Sequence, residues 1–314
     1  MLSYVIKRVL MTIPVMIIVA LFVFLLLRLS PGDPAAVIAG DYATAEDVAK
    51  IREKLGLSEP IIVQFANWTW GLIQGDLGTS IFSNKPVVEL IGQRIEPTVL
   101  LALTTIIFSI AVAVPLGTLA AYRSGSWIDR FVMLFSVGGF SIPVFVLGYI
   151  LIYVFALKLR WLPVQGYRSP FEDGLGPFLS HITLPTITLS LIYIALIARM
   201  TRASVIEVLE EDYVRTARAK GQSEFKVLMR HAVRNAAVPI VTVIGIGIAL
   251  LIGGVVVTES VYNVPGLGRL VLDAVLARDY PIIQGLILFF SFIYILLNLL
   301  IDLTYTFLDP RIRY

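Results

Sequence analysis

Four acids, Glu207, Glu210, Glu211 and Asp212, run into the bases Arg215, Arg218 and Lys220, and Gly221 closes the series. A second basic row follows, Lys226, Arg230 and Arg234, at intervals of four. Acids early and bases late is the order a helix dipole favours. Gly221 suits the left-handed position just past a helix, where a Cβ costs energy. Ser223 can cap the helix after it. The pattern predicts helix, glycine break, helix. Val205, Val208, Leu209, Tyr213, Thr216 and Ala217 form the apolar period of the first half, and Phe225, Leu228, Met229, Ala232, Val233 and Ala236 that of the second. The chemistry such residues do is non-covalent, through ion pairs and hydrogen bonds to another macromolecule. Anionic lipid alone would account for the bases. It would not account for the four acids, the clean break, or the small pair Thr216-Ala217, which lets a partner backbone come close.

Covalent and metal chemistry have few residues to work with. The chain has no cysteine and two histidines, His181 and His231, which the topology below puts on opposite faces. There is no H-E-x-x-H and no Gly-Lys dipeptide, hence no phosphate-binding P-loop. The apolar segments are nearly free of ionisable groups. Asp302 is the main exception, and it reads as interfacial. Ion-coupled transporters usually carry intramembrane carboxylates or broken helices, and channels carry filter rings. A stand-alone secondary transporter or channel is therefore the alternative. The favoured reading is a pore-forming body, not itself an enzyme, that takes its energy from a partner.

These residues need a scaffold, and composition says what kind. The 314 residues are 58% hydrophobic and 15% charged, against about 25% charged in soluble domains. With a mean hydropathy of +0.87, most of the chain has lipid as its solvent. Six windows are long enough to span: residues 9–27, 97–121, 131–157, 182–198, 236–258 and 282–301. All must be helices, because lipid cannot satisfy free backbone groups. The basic flank of the first, Lys7-Arg8, is also that of a signal peptide, but its apolar core is long for one and it reads as a span. Lys and Arg concentrate in the tail with Lys7 and Arg8, around Arg123 and Arg130, in the loop 199–235, and at Arg311 and Arg313. Both termini and the charged loop are thus expected on the cytoplasmic side. Three regions follow: 1–28, a tail and first span; 29–96, a small helical cap outside the membrane; and 97–314, a five-span core carrying the loop 199–235. In the cap, Pro/Gly residues in "RLSPGDPA" stop the first span. Thr44 caps one helix that ends at Gly56, Pro60 starts another, and Trp68 and Trp70 suit the membrane interface.

"EDYVRTARAKG" resembles the cytoplasmic EAA-type motif of ABC-importer permease subunits, with the motif glycine at Gly221. "SPGDPA", "ARMTRASVIEVLEEDYVRTARAKG", "RHAVRNAAVPIVT", "ESVYNVPGLGRLVLDAVLARDYPIIQG" and "DPRIRY" are similar, in order, to the dipeptide/oligopeptide branch, to which the glutathione importer belongs. The similarity covers essentially the whole chain. Where the motif's name expects Glu-Ala-Ala, this chain has Arg215-Thr216-Ala217, a form common in the peptide branch.

The resemblance implies an all-α, six-span permease of the type I importer fold, sitting in the bacterial inner membrane. It also implies partners: a second, homologous permease subunit, two ATPase subunits that carry the ATP and Mg, and an extracytoplasmic binding protein that does most of the substrate selection. Dipeptides, oligopeptides, glutathione, nickel chelates or oligosaccharides would all be possible cargo. Asp212, Tyr213, Arg215, Thr216, Ala217, Arg218 and Gly221 would contact the ATPase as a coupling helix. Outside, the loop 259–281 is expected to hold a Pro-Gly turn and a short helix, Leu267–Ala277, with Pro265, Gly266 and Arg269 as contacts for the binding protein. Ser141, Ser190, Gly245, Gly247, Gly253 and Gly254 are candidates either for lining the pathway or for helix packing.

Overall fold

The computed structural model describes residues 2–29, 34–39, 43–54 and 56–308. Residues 30–33 of the stop after the first span, and 309–314 with Arg311 and Arg313, lie outside the described residues. Among the described residues every named element is helical, and Thr79 and Pro86 form an isolated β-bridge. The chain divides into two compact units, Met1–Glu96 with Leu270–Leu296, and Pro97–Arg269 with Leu297–Tyr314.

In the first unit, helix α1 (Leu2–Leu29) is followed by α2 (Pro34–Ala39), α3 (Ala45–Lys54) and α4 (Ile61–Ile73). Thr44 caps α3 reciprocally. Its hydroxyl accepts from the Asp47 N–H at 3.3 Å, and the Asp47 carboxylate accepts the Thr44 N–H at 3.1 Å and the hydroxyl at 2.6 Å. These bonds from Thr44, side chain first and then backbone, hold the Asp47 carboxyl below the usual carboxylate range. Gly56 follows with φ +63°. Phe65 and Trp68 of α4 gather around buried Phe24 of α1, with centroids 5.1 and 5.6 Å away. Gln284 donates its amide to the Val23 carbonyl at 3.0 Å, which satisfies a buried polar group.

Helix α5 (Val87–Tyr122) leads into the second unit. There α6 (Trp127–Ser141), α7 (Val144–Leu151), a π-helical turn (Ile152–Lys158), α8 (Leu175–Leu209), α9 (Asp212–Ala219), α10 (Glu224–Lys226), a second π-helical turn (Val227–Val233) and α11 (Ala237–Val261) follow one another. Then come α12 (Leu267–Ala277) and α13 (Tyr280–Leu308). Helix α8 is the packing centre of this unit, and Ile182, Leu189, Tyr193, Ile194, Ile197 and Ala198 are buried along it. Gly117 lets α5 come close: a Cβ there would lie 2.5 Å from the Ala198 carbonyl oxygen and 2.7 Å from Thr201 Cβ.

The helices differ from the hydropathy windows in two ways. Among the described residues four helices are long and apolar enough to cross a membrane, namely Val87–Tyr122, Leu175–Leu209, Ala237–Val261 and Tyr280–Asp302. Helix α1 has 28 residues, and its apolar stretch Leu10–Leu26 lies within the window 9–27. The window 131–157, read as one straight span, is broken into α6 and α7 by a bend of 106°. Ile142 is extended (ψ 122°) because the ring of Pro143 disfavours helix in the residue before it. The window 182–198 is the middle of a 35-residue helix. Charged residues end a hydropathy window, but they do not end a backbone hydrogen-bond ladder.

Candidate functional site

Helix α8 ends at Leu209. Glu211 is extended (φ −67°, ψ 145°) and starts α9 without a side-chain cap. This break resets the helical phase. Val214 and Ala217, not Tyr213 and Thr216, turn inward, and they pack with Val227 against Val208 and Leu209. Tyr213 and Thr216, expected in the apolar stripe, are exposed. Asp212, Arg215 and Arg218 share that outer surface. Of the seven residues expected at a coupling contact, Ala217 thus has its side chain committed to seating the helix.

Gly221 stands at φ +76°. The Gln222 N–H donates to the Ala217 carbonyl at 3.3 Å, and the Gly221 N–H to that of Arg218 at 2.9 Å. This pair of bonds is a Schellman closure. Arg218 reaches across the turn to Glu224 with two N–H groups, at 3.0 and 3.4 Å. The Tyr213 hydroxyl accepts from Asn235 at 3.1 Å, and His231 meets Gln222 at 2.9 Å. Ser223 occupies the position before α10, but its side chain makes no cap bond. Arg215 pairs with Asp212 at 3.4 Å on the open surface.

In the second half Ala232 and Ala236 are buried and Leu228 and Val233 partly buried, as their period predicts. A π-helical turn there buries Val227 with Val214 and Ala217, while Ala232 and Ala236 pack against Ala121 and Val205. Phe225 and Met229, expected inward, are 73% and 48% exposed. With Val114, Pro115, Leu119 and Tyr122 they line a groove of about 470 Å³.

One ion pair was not foreseen. Asp129, buried near the start of α6, accepts two N–H groups of Arg202 on α8, one from Nε and one from Nη2 at 2.7 Å, and also the Gly125 N–H at 2.9 Å. Ser126 and Asp129 carry the S-x-x-D spacing of a capping box, a signal that marks the start of α6 but does not point to Arg202. The sequence reading counted Arg202 only as loop charge.

The six pathway candidates separate. Cβ atoms on Gly245, Gly247 and Gly254 would lie 2.8 Å from Ile301, 3.3 Å from Tyr193 and 2.9 Å from Leu189, so these glycines pack helices together. Ser190 is buried and donates to the Thr105 carbonyl at 3.3 Å. Ser141, exposed, donates to the Val137 carbonyl at 3.0 Å on the last turn before the bend. Gly253 is exposed, with nothing within 4 Å of a built Cβ. In the other loop, α12 covers Leu267–Ala277, Pro265 is exposed, Gly266 is buried and Arg269 is half-buried. Glu259, taken from sequence as the first loop residue, belongs to α11 and is fully buried.

Known proteins are similar to this chain over its whole length. The family model described as "Binding-protein-dependent transport system inner membrane component" matches residues 113–314, and the corresponding N-terminal model matches residues 1–104. A probable peptide ABC transporter permease of Sinorhizobium fredii is 58% identical over 99% of both chains. A putative peptide transport system permease of Brucella abortus is 46% identical over 100% of both, and a glutathione transport system permease of Salmonella typhimurium is 45% identical over 100% of both. The inward-facing MetNI methionine ABC transporter superposes with a TM-score of 0.57 at 15% identity, covering 71% of this chain and 97% of that one, a likeness of fold. A solitary secondary transporter or channel is set aside by these matches. The long apolar helices, the charged helix–glycine–helix loop and the full-length similarity converge: the chain belongs to the inner-membrane permease family of binding-protein-dependent, ABC-type transport systems.

Proposed function

We propose that the chain is the permease half of an importer for di- or oligopeptides or a related solute such as glutathione. It would work beside a second homologous permease, two ATPase subunits that bind the ATP and Mg, and an extracytoplasmic binding protein. The relatives' names support the substrate class. In this reading α1 and the bent α6–α7 pair count as spans, which makes six. Both termini and the loop 199–235 are cytoplasmic, and residues 29–96 form a helical cap outside.

The observation that carries the reading is α9. It is a short helix hung between two breaks, seated by Val214 and Ala217, with Asp212, Tyr213, Arg215, Thr216 and Arg218 turned outward. Polar and charged groups on a short, well-seated helix suit a groove of an ATPase better than the lipid interior. ATP-driven closure would displace α9. Helix α8 before it, and the π-helical turn and α11 after it, would carry that displacement into the membrane. A displacement that favours one of two packed arrangements alternates access.

The chain has no cysteine, so single cysteines at Tyr213 or Thr216 give unambiguous cross-links. They should join the ATPase subunit in high yield, while a cysteine at exposed Gly253 should not. Uptake should stop on ATP depletion and persist under an ionophore. Equal cross-linking at all three positions would sink the coupling assignment. The ligand retained by the cognate binding protein fixes the substrate.

A further inference from the structure

A carboxylate buried in an apolar helix is costly unless it is bonded, and Glu259 is bonded specifically. Its Oε1 accepts the Thr98 hydroxyl at 2.6 Å, and its Oε2 accepts the Arg269 N–H at 3.0 Å. The Thr98 oxygen in turn accepts the Leu267 N–H at 2.8 Å. Leu267 and Arg269 lie in the first turn of α12, where N–H groups have no acceptor in their own helix. Glu259, directly and through Thr98, therefore caps a helix that begins eight positions later in the chain. Its charge also matches the positive end of that helix. Two glycines allow the close seat. A Cβ on Gly266 would fall 2.0–2.4 Å from the carboxylate, and one on Gly268 would fall 2.6 Å from Val256 Cα. The sequence "PGLG" thus does more than turn the chain, because it leaves room for Glu259.

We propose that Glu259 is a positioning residue of the transport cycle, a buried pin that makes the end of α11, the first turn of α12 and Thr98 of α5 move together. Helix α11 begins just past the loop 199–235, and its 25 residues carry a displacement roughly 37 Å at 1.5 Å per residue. Motion of the coupling loop at one end reaches the pinned turn at the other, and docking at the outer loop returns along the same path. The proposal rests on the reading of 199–235 as the ATPase contact and of 259–281 as the outer loop.

The test uses the complete complex in proteoliposomes, with its cognate binding protein saturated with trialanine or glutathione, whichever it retains. Glu259→Gln should leave basal ATP hydrolysis within twofold of wild type and cut stimulation by the loaded binding protein at least fivefold. Gly268→Ala keeps the carboxylate and spoils its seat, and it should do the same. In both variants, amide exchange over residues 264–270 should rise without a rise elsewhere. Should Glu259→Gln fail to assemble, Thr98→Val, which removes one bond and keeps the shape, decides by the same criteria with a smaller loss. Wild-type stimulation and uptake in the variants would overturn the pin. So would basal and stimulated hydrolysis falling in parallel, since that marks a merely structural role. A wild-type complex that binds no ATPase, or ignores its binding protein, would overturn the underlying reading instead.

Discussion

Gly221 offers a test in which backbone strain acts alone. It stands at φ +76°, and a Cβ built on it meets nothing within 4 Å. A Cβ there therefore meets no neighbour, and the cost it adds is one of conformation. The left-handed region costs an L-residue about 1–2 kcal/mol. Valine, branched at Cβ, belongs at the upper end, and asparagine tolerates the region. A change of about 1–2 kcal/mol shifts an equilibrium roughly 5–30-fold. If α9 must keep its Schellman closure and its Arg218–Glu224 clamp to engage the ATPase, solute moved per ATP should fall in the order Gly, Asn, Ala, Val. Valine should lose about 5–30-fold, and membrane insertion should be unchanged. Parallel measurement of uptake and phosphate release in proteoliposomes reads the ratio. Wild-type coupling in Gly221→Val, or equal damage from Asn and Val, would refute the reasoning.

Three other outcomes follow from the same geometry. Arg218→Ala breaks a pair whose side chains are 39% and 48% exposed, worth about 0–1 kcal/mol; thermal stability in detergent should hold while coupling drops. Gly117→Ala places a Cβ 2.5 Å from a carbonyl oxygen of α8, and overpacking of this kind costs about 1–3 kcal/mol. Its melting temperature should fall, whereas Gly253→Ala, with nothing within 4 Å, should be neutral. Asp129→Asn leaves the Arg202 guanidinium, 24% exposed, without its carboxylate, at a cost between about 1 kcal/mol, that of an exposed pair, and about 3–5 kcal/mol, that of a fully buried one. It should lower the yield of monodisperse protein, and the exchange Asp129→Arg with Arg202→Asp should recover part of it.

What was legible in the sequence had a local cause. Gly221 and Gly56 take positive φ, Thr44 caps α3, and α12 covers Leu267–Ala277, because each depends on neighbours a few positions away. What was not legible depends on distant partners. Gly245 and Gly254 could have faced a pathway or a helix until Ile301 and Leu189 were seen against them. Asp129 and Arg202 are 73 positions apart, and no spacing rule links them. Glu259 escaped notice for a different reason. A carboxylate at the end of an apolar run reads as the start of a loop, and only its bonds to Thr98 and Arg269 show why it stays inside.

The loop's departures from its two expected stripes have a common origin and a common effect. A single α-helical period assigns Ala217, Leu228, Ala232, Val233 and Ala236 to the buried side correctly, but also Tyr213 and Thr216, then Phe225 and Met229. The extended Glu211 and the π-helical turn at Val227–Val233 each rotate the chain relative to that period. Across the turn Val227 packs with Val214 and Ala217, and Ala232, Ala236 and Ile240 form a second buried row, against Ala121 and Val205, that runs into α11. The buried residues that result are small or β-branched, and they let the loop lie close on α5 and α8. The residues released outward, Tyr213, Phe225 and Met229, are large. A strictly periodic helix would have hidden these three inside and left the loop a smooth, charged surface. The interruptions instead give it bulky projections beside its ion pairs, the kind of relief that a shaped groove in a partner can grip and a lipid headgroup layer cannot.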